Sequence, residues 1–520
     1  MGAEASAASP VAFAALILWP VVVAVLFRKL LFQAALVWSV LAGYLLLPSD
    51  RVVGIDLPLL PALDKVLIPS LAAAVMAVLA LRRLDKKRRL ARTLPGESAS
   101  GPLVLPGWLP SSILGLGLFV TLIASTFMST FTNSDPLVYG DTFIPQMRAF
   151  DAFSLILAAL VVLLPTMLGR KFLADDAGHR HILVAICAAA VVYSFLMLYE
   201  VRMSPQINMM VYGFFPHSWL QHVRGGGFRP IVFMNHGLVL GIFLSMAVVA
   251  SAIMVRLSTG AARMRFFVAM LFLFAVLVLS KNLGALMITI LLVPIALLAP
   301  VRIQLLAAAG CAGIMLSYPM LRGADIIPTE NLVEFAAGID ERRAQSLDFR
   351  FHHEDALLEK ANERPAFGWG SWSRWRVFDE TGRDITVSDG AWIINISQRG
   401  WLGYIAKFGF LTLPLLLLFL RRKRYQVGLA TSGLCLIVAA NLVDLLPNDS
   451  LSPLLWLATG ALLGRLELKT AEHSAEIEPP DARTAPIAAS AYDQGAQVTS
   501  YSRFPHTHRR GAPVSAPRNG

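Results

Sequence analysis

The sequence predicts an all-α polytopic membrane protein, with about 12–13 transmembrane helices and one large, partly helical loop on the outer face. The chain of 520 residues is 56% hydrophobic and only 15% charged, whereas soluble domains carry about 25% charged residues. The apolar residues also come in blocks that are long enough to cross a bilayer as helices. The basic residues are placed as a membrane protein requires, which gives the third observation.

The net charge of +11 does not indicate a nucleic-acid partner, because the basic residues cluster in short runs beside the apolar blocks. This is the positive-inside pattern of cytoplasmic loops. Placing every run inside puts the N-terminus outside and the tail inside. The runs are Arg28-Lys29, Arg82 to Arg92, Arg170-Lys171, Arg256 to Arg265 and Arg421 to Arg424.

Thirteen spans are predicted from the apolar blocks, and twelve spans with a cytoplasmic start would leave the outer loops unchanged. Only Ser280-Lys281-Asn282 divides the eighth span from the ninth. The spans are 10–27, 30–47, 66–81, 111–131, 149–169, 181–200, 231–255, 266–281, 283–300, 303–320, 392–420, 425–446 and 451–466.

This pattern divides the chain into six regions, with three notable outer segments at 132–148, 201–230 and 321–391. The tail is rich in Ala, Pro, Ser, Gln and Arg, which predicts disorder. The regions are N-terminal membrane helices (1–81), a basic cytoplasmic linker (82–110), membrane core helices (111–320), the large outer loop (321–391), C-terminal membrane helices (392–466) and a disordered cytoplasmic tail (467–520).

The three cysteines, Cys187, Cys311 and Cys435, lie inside apolar spans. They are predicted to be small core residues, because their spacing fits neither a disulfide framework nor a metal site. No metal-ligand cluster and no phosphate-binding loop is recognisable in the sequence. Neither a metal nor a cofactor is therefore predicted.

Two basic features lie at the outer ends of neighbouring spans. Arg224 and Arg229 flank a Gly-rich approach to Asn235-His236-Gly237, where forked guanidinium groups can hold a diphosphate; the alternative is a pair of snorkelling interfacial arginines. Lys281 is costly at its depth unless it is paired or hydrated, and the alternative is a simple turn between two helices.

The large outer loop has a pattern of its own. A helix is predicted from about Asp340 to Ala361, with Arg343 and Arg350 near the edge of its apolar stripe, and Pro365 ends it. Trp369, Trp372 and Trp375 follow and can stack on sugar rings or anchor the loop at the interface. Asp389 stands at the mouth of the next span, as a functional acid or as a helix N-cap.

These features occur in an order that resembles the O-antigen ligase and polysaccharide polymerase superfamily. The order is arginines before an Asn-His-Gly span, a Ser-Lys span pair, a long outer loop, Pro-x-Phe-Gly-Trp-Gly, and Asp-Gly followed by Gly-x-x-Gly. The resemblance covers about residues 224–420. It is strongest at Arg364–Gly370 and Asp389–Gly403.

The resemblance implies a metal-independent glycosyltransferase of the bacterial inner membrane. It would work in the biosynthesis of exopolysaccharide or of the O-antigen of lipopolysaccharide. Members act at the periplasmic face, where the donor glycan hangs on undecaprenyl diphosphate and the acceptor is a sugar hydroxyl of a glycan or a lipid-linked sugar. The diphosphate is a good leaving group, so no cofactor is implied, and arginines stabilise its charge. Membrane lipids and other polysaccharide-assembly proteins are further implied partners; nucleic acid is not.

The same resemblance implies site residues. Arg229 and Arg350 are expected to stabilise the diphosphate, and Asp389 to act on the acceptor hydroxyl. The substrate-binding candidates are Arg224, Lys281, Arg343, His353, Trp369 and Trp372.

One departure from the family pattern bears on the activity. In the lipid A-core ligases a histidine stands at the position of Asp389, usually followed by Asn, Ser or Gln, whereas Gly390 follows here. The departure favours a polymerase over a ligase. His352, His353 and Glu354 are rival bases on the loop helix.

Two alternatives belong to other classes. A lipid-linked glycan flippase or transporter should carry charges at mid-membrane depth and repeated halves. The charges here concentrate at membrane ends and in one loop, and no repeat is visible, which favours the transferase. A non-catalytic scaffold of a polysaccharide export complex would make the outer arginines dispensable.

Overall fold

The computed structural model describes residues 8–49, 62–91, 102–224, 226–338 and 341–477, and the side chains of these residues except at 85–91, 342–343 and 469–477. The helices are α1 (Pro10–Lys29), α2 (Phe32–Leu46), α3 (Leu67–Ala91), α4 (Ile113–Phe131), α5 (Ala149–Phe172), α6 (Asp176–Met203), α7 (Ile207–Tyr212), α8 (Gly237–Leu257), α9 (Gly260–Leu279), α10 (Leu283–Leu298), α11 (Val301–Gly323), α12 (Thr329–Ala337), α13 (Glu341–Glu363), α14 (Ala391–Leu420), α15 (Arg422–Tyr425), α16 (Leu429–Asp444) and α17 (Pro453–Ile477). Two antiparallel hairpins complete the fold, β1 (Leu137–Tyr139) with β2 (Thr142–Ile144) and β3 (Val223–Arg224) with β4 (Gly227–Phe228).

The predicted all-α polytopic class is confirmed. In the described part of the chain, nine helices are long and apolar enough to cross a membrane, and three shorter apolar helices accompany them. Each of the thirteen predicted spans overlaps one helix, and Ser280–Asn282 separates the closely spaced pair into α9 and α10. The large loop between α11 and α14 is partly helical as predicted, since it contains α12 and α13.

Several predicted boundaries differ from the structure, and three of the differences have a physical explanation. Helix α3 continues to Ala91, well into the predicted linker, because the basic stretch after Leu81 consists mostly of good helix formers. Helix α17 continues to Ile477, so the predicted tail boundary at 467 falls inside a helix. Residues 92–101 of the linker and 478–520 of the tail lie outside the described residues.

Glu467 shows why the last helix does not end at the predicted boundary. Its carboxylate lies 2.6 Å from Arg170 at the end of α5, and the two side chains are 5% and 1% exposed. Arg170 also donates to the carbonyl of Pro106, so the end of the linker is held in the same place. Charged groups that are buried in this way require partners.

The third difference concerns α8, the central helix, in which 94% of the most apolar window is buried. It begins at Gly237 rather than at 231, because residues 231–236 form a non-helical turn, of which 231–234 are buried. The carboxylate of Glu200, at the end of α6, accepts hydrogen bonds from the amides of Ile207, Ile231 and Val232 at 2.8–2.9 Å. These bonds satisfy backbone groups that a helix would otherwise pair internally.

Helix α14 is kinked at Gly400, whose φ of 65° lies in the left-handed region. The opened backbone pairs with the Trp-rich turn that follows α13: Trp401 N donates to Pro365 O at 2.7 Å, and Trp369 N donates to Ser397 O at 2.8 Å. A Cβ at Gly400 would lie 2.4 Å from the backbone of Ala366. The two segments in which the family resemblance is strongest therefore dock on each other.

One face of the protein is called the loop face below. It comprises the two β hairpins with the helix ends next to them, α12, α13 and the Trp-rich turn. An anchor group of Asp135, Lys360, Arg364 and Arg374 fastens the large loop to the β1–β2 hairpin. Arg364 contacts Asp135 at 2.9 Å, and Arg374 approaches the same carboxylate at 3.4 Å. Lys360 donates to the hydroxyl of Tyr139 at 3.0 Å.

Candidate functional site

The β3–β4 hairpin and the α9–α10 turn bring three of the predicted basic residues together. Lys281 adopts a left-handed conformation with a φ of 57° and donates from Nζ to the carbonyl of Arg224 at 2.8 Å. Its ammonium group also occupies the space beside Gly227, where a Cβ would lie only 2.5 Å away. Arg229 Nη2 donates in turn to the carbonyl of Lys281 at 3.4 Å.

Arg229 has the most unusual environment of the three. The residue is 9% exposed, its Nε lacks a hydrogen-bond partner, and no carboxylate pairs with it among the described residues. Burial, together with the positive charges of Arg224 and Arg350, lowers the pKa of Arg229 to about 10. The guanidinium is thus still protonated at neutral pH, although it is buried without a counter-ion.

Helix α13 and the start of α14 supply a fourth cation and a carboxylate. Arg350 Nε lies 3.3 Å from Asp389 Oδ2, and the two side chains are 32% and 41% exposed. Arg350 also donates to the carbonyl of Pro447 at 3.3 Å. Gly390 occupies the N-cap position of α14, so the Asp389 carboxylate serves the ion pair instead of capping the helix.

Arg224, Arg229, Lys281, Arg350 and Asp389 are called the charged cluster below. Four of its members are cations. Lys281 lies in the turn between α9 and α10, and its side chain also contacts the β3–β4 hairpin. A cluster with this balance favours a ligand that carries more than one negative charge.

Helix α13 also places two of the rival bases beside the cluster. Burial and the neighbouring His352 lower the pKa of His353, which Asp389 partly counteracts. Burial raises the pKa of Glu354 to about 7 despite the nearby charge of Arg322. The Glu354 Oε2 atom has no hydrogen-bond partner in the described part of the chain. Two carboxylates are therefore candidates for proton transfer. Asp389 is exposed and paired with Arg350, whereas Glu354 is buried and has a pKa that suits proton transfer at neutral pH.

Two predicted substrate-binding residues, Trp369 and Trp372, do not join the cluster, and the side chain of a third is not among those described. Trp369 is 6% exposed, its indole N–H donates to Lys360 O at 2.7 Å, and Arg364 lies 4.1 Å from its ring centroid, so it packs the loop and presents no ring face to a sugar. Trp372 is 60% exposed and keeps a free face. Arg343 belongs to α13, but its side chain lies outside the described residues.

Sequence reasoning missed a group of three histidines beside the cluster. One nitrogen of each of His217, His222 and His236 lies within 4.8 Å of the others. Their spacing matches no helical metal-binding pattern, and a loop, a short 3-10 turn and the α8 N-cap bring them together. The signal in the sequence was a local concentration of histidines, with His217 and His222 in the outer segment 201–230 and His236 near the start of the next predicted span.

Sequence reasoning also missed two cations inside α14. Arg399 and Lys407 line a cavity of about 130 Å³ with apolar residues of α4 and α5 and with Trp456 of α17. Neither cation forms an ion pair with a described residue. The sequence places most charges at the helix ends and in one loop, but Lys407 lies near the middle of α14.

The comparisons with known proteins add no further identification. No protein-family model matches the chain, and no curated protein matches it.

Proposed function

We propose that this chain is a glycosyltransferase that joins a glycan carried on undecaprenyl diphosphate to a sugar acceptor. The reaction takes place at the periplasmic face of a bacterial inner membrane, in O-antigen or exopolysaccharide biosynthesis, and polymerisation is favoured over ligation. The loop face is then periplasmic. The proposal needs no cofactor, because the donor brings its own leaving group.

One observation carries the proposal: Arg229 is buried, no described carboxylate pairs with it, and it lies in a cluster that is rich in positive charge. A buried cation without an anion is costly, so such a group is maintained where a ligand supplies the anion. A diphosphate fits, since its oxygens accept the forked hydrogen bonds of guanidinium groups. The position at the end of membrane-embedded helices suits a diphosphate whose lipid stays in the bilayer.

The chemistry follows from this placement. The acceptor hydroxyl attacks the anomeric carbon of the donor sugar, a new glycosidic C–O bond forms, and the bond from carbon to the diphosphate oxygen breaks. Asp389 takes the hydroxyl proton, and undecaprenyl diphosphate leaves with the bonding electron pair. Arg229, with Arg224 and Lys281, stabilises the growing negative charge, and Arg350 positions Asp389.

Arg229→Lys tests the central claim, because lysine keeps the charge and loses the fork. A lost charge-assisted contact to the leaving group costs about 3 kcal/mol, or about a hundredfold in rate. We expect polymer synthesis in a complemented deletion strain to fall by that factor at an unchanged protein level. The glycan profile on a gel measures it.

Arg376→Lys is the matched control. It lies on the large loop between α11 and α14 and pairs with Asp384 at 2.5 Å, outside the charged cluster. The control should leave synthesis unchanged. Equal synthesis in Arg229→Lys and the control would contradict the proposal and favour the scaffold.

The glycan profile of the deletion strain also separates the two activities. A single repeat on the acceptor with loss of chain length indicates a polymerase. Free lipid-linked polymer with a bare acceptor indicates a ligase.

The side of the membrane is tested independently. Gln345 lies on the exposed side of α13. In a chain whose three native cysteines are replaced by alanine, Gln345→Cys should react with an impermeant thiol reagent from the periplasmic side of intact cells. Labelling only after the inner membrane is opened would reverse the topology and remove the proposed reaction from the periplasm.

A lipid-linked glycan transporter is the second candidate, and Arg399 and Lys407 are the observation that favours it. Unpaired cations inside a spanning helix often line substrate pathways. If the chain is a transporter, Lys407→Met should trap lipid-linked repeats in the inner leaflet. If it is a transferase, its loss should accumulate them in the outer leaflet, and leaflet-specific labelling separates the two outcomes.

A further inference from the structure

The three histidines of the loop face form a compact group that the proposed reaction does not use. The ring centroids of His217 and His236 are 4.7 Å apart, and those of His222 and His236 are 5.1 Å apart. One nitrogen of each ring lies within 4.8 Å of the other two. Imidazole is the commonest metal ligand in proteins, and three imidazoles form a known set for zinc.

His222 gives an independent indication that a ligand belongs here. It is 0% exposed, and neither of its ring nitrogens has a hydrogen-bond partner among the described residues. A buried imidazole normally bonds through at least one nitrogen, since an unpaired polar group in the interior is destabilising. A metal ion bound to one nitrogen would satisfy the lone pair that has no hydrogen-bond partner in such a ring.

The backbone around the histidines is held firmly. The Glu200 carboxylate fixes the amides of Ile231 and Val232 just before His236. The carbonyl of His222 accepts from Arg229 N at 2.8 Å, which ties this residue to the end of the β3–β4 hairpin. A site on such a scaffold is pre-organised, because little chain entropy remains to be lost when an ion binds.

We propose that His217, His222 and His236 bind one divalent transition-metal ion of the zinc type through one nitrogen each. Three protein ligands leave a fourth position of the tetrahedron open for water or an anion. Imidazole ligands exclude magnesium and calcium, which prefer oxygen. The site lies next to the charged cluster, but it does not rest on the proposed transferase activity.

Two adjustments accompany binding. Nitrogens on a tetrahedral zinc ion lie about 3.3 Å apart, so the rings must approach one another by about 1.5 Å. The exposed His217 supplies most of that movement. His236 Nδ1 accepts from the Leu238 amide at 3.0 Å, which places the ring proton on Nε2 facing Gln221. Binding through Nε2 moves that proton to Nδ1 and breaks one helix-cap bond.

The surrounding charge has two opposing effects on the ion. Burial, followed by the charge of Arg229 for His222 and by His217 and His222 for His236, lowers the pKa of His222 to about 4 and that of His236 to about 3, which favours the neutral form of each ring. Arg224 and Arg229 also repel a bare dication. The metal should therefore carry an anion, such as hydroxide or chloride, in its fourth position.

Zinc binding to the full-length protein tests the proposal directly. The protein is purified in detergent with a histidine-free tag, stripped with a chelator, and titrated with Zn²⁺ under equilibrium dialysis. We expect one zinc ion per chain with a micromolar or tighter Kd. His217→Ala and His236→Ala should each weaken the Kd by at least tenfold.

His217 is exposed, so His217→Ala removes a ligand without opening a hole in the core. Zinc should raise the thermal unfolding temperature of the wild type and leave that of His217→Ala unchanged. His506→Ala/His508→Ala, a double substitution in the C-terminal tail, is the matched control and should bind zinc as the wild type does. Failure of the wild type to bind stoichiometric zinc, or a wild-type zinc affinity in His217→Ala or in His236→Ala, would overturn the proposal.

Discussion

The loop face carries two groups of cations that differ in how their charge is balanced. In the anchor group, Arg364 and Arg374 share the carboxylate of Asp135, and Arg374 also donates to the carbonyl of Pro145 at 2.9 Å. In the charged cluster, Asp389 pairs with Arg350, while Arg229 has no carboxylate partner in the described part of the chain.

The acids of the two regions are shifted in opposite directions. Burial raises the pKa of Asp135, but its bond to Arg364 and the charges of Arg364 and Arg374 lower it more, so the net pKa lies below its ordinary value. Glu354 beside the cluster has a pKa raised to about 7 by burial. The number of arginines does not distinguish the anchor group from the charged cluster. The pairing of the arginines does, because an arginine that is paired with a carboxylate stabilises the fold, whereas an unpaired arginine is available to a ligand.

The largest expected effect is on the base. Asp389→Asn removes proton acceptance but keeps the size of the side chain, and loss of a general base costs at least a hundredfold in rate. Polymer synthesis should fall by at least that factor at normal protein level. Asp384→Asn, in the Arg376 pair, is the control and should retain synthesis. Full synthesis in Asp389→Asn would shift the role of base to Glu354, His352 or His353.

Arg364→Ala tests the other side of the comparison. It removes the bond to Asp135 and the stack on Trp369, and it should lower the free energy of unfolding by about 2 kcal/mol, allowing for the partial exposure of the pair. Activity per folded molecule should be unchanged. Thermal unfolding in detergent, with activity normalised to folded protein, measures both. A large loss of specific activity at unchanged stability would place Arg364 in the reaction.

The pH dependence of stability separates the two acids. Glu354 has a folded pKa of about 7 against 4.5 unfolded, so the folded state binds more protons in this window and stability falls as pH rises from 4.5 to 7. Glu354→Gln should flatten that fall, by about 3 kcal/mol. Asp135 acts oppositely, since its contribution is lost as pH falls below 3.8. An unchanged profile in Glu354→Gln would show that its carboxylate titrates normally.

The smallest effect is expected at Trp372. Its side chain is 60% exposed, so Trp372→Ala should change the free energy of unfolding by less than about 0.5 kcal/mol. Trp369→Phe loses the bond to Lys360 O and should cost about 1 kcal/mol. If Trp372 stacks on a sugar, synthesis should fall several-fold in Trp372→Ala alone. Calorimetry measures the stability of both variants, and the glycan profile measures synthesis in each.

Much of the helical architecture could be predicted from the sequence, because lipid imposes length and apolarity on each span. The start of α8 was missed, since the apolar residues 231–234 also suit a helix and only the distant Glu200 carboxylate reveals the turn. Arg170 and Glu467 are 297 residues apart, so no local pattern indicates their pairing.

The candidate site was predicted only where local sequence patterns mark its residues. Charge and spacing indicated Arg224, Arg229 and Lys281, which the structure brings together. The burial of Trp369 depends on contacts with α13 and α14 that composition does not contain. The three histidines meet only through the path of one irregular segment.

The kink at Gly400 has a mechanical consequence. A continuous helix transmits bending along its own hydrogen bonds, but the bonds of α14 at this point run to Pro365 and Ala366 of the neighbouring turn. The first two turns of α14, which begin next to Asp389, are therefore hinged to the loop rather than continuous with the rest of the helix. Arg399 sits at that hinge, so a displacement of the loop face would shift a charge in the cavity between α4, α5 and α17. The kink at Gly400 therefore couples movement of the loop face to this cavity.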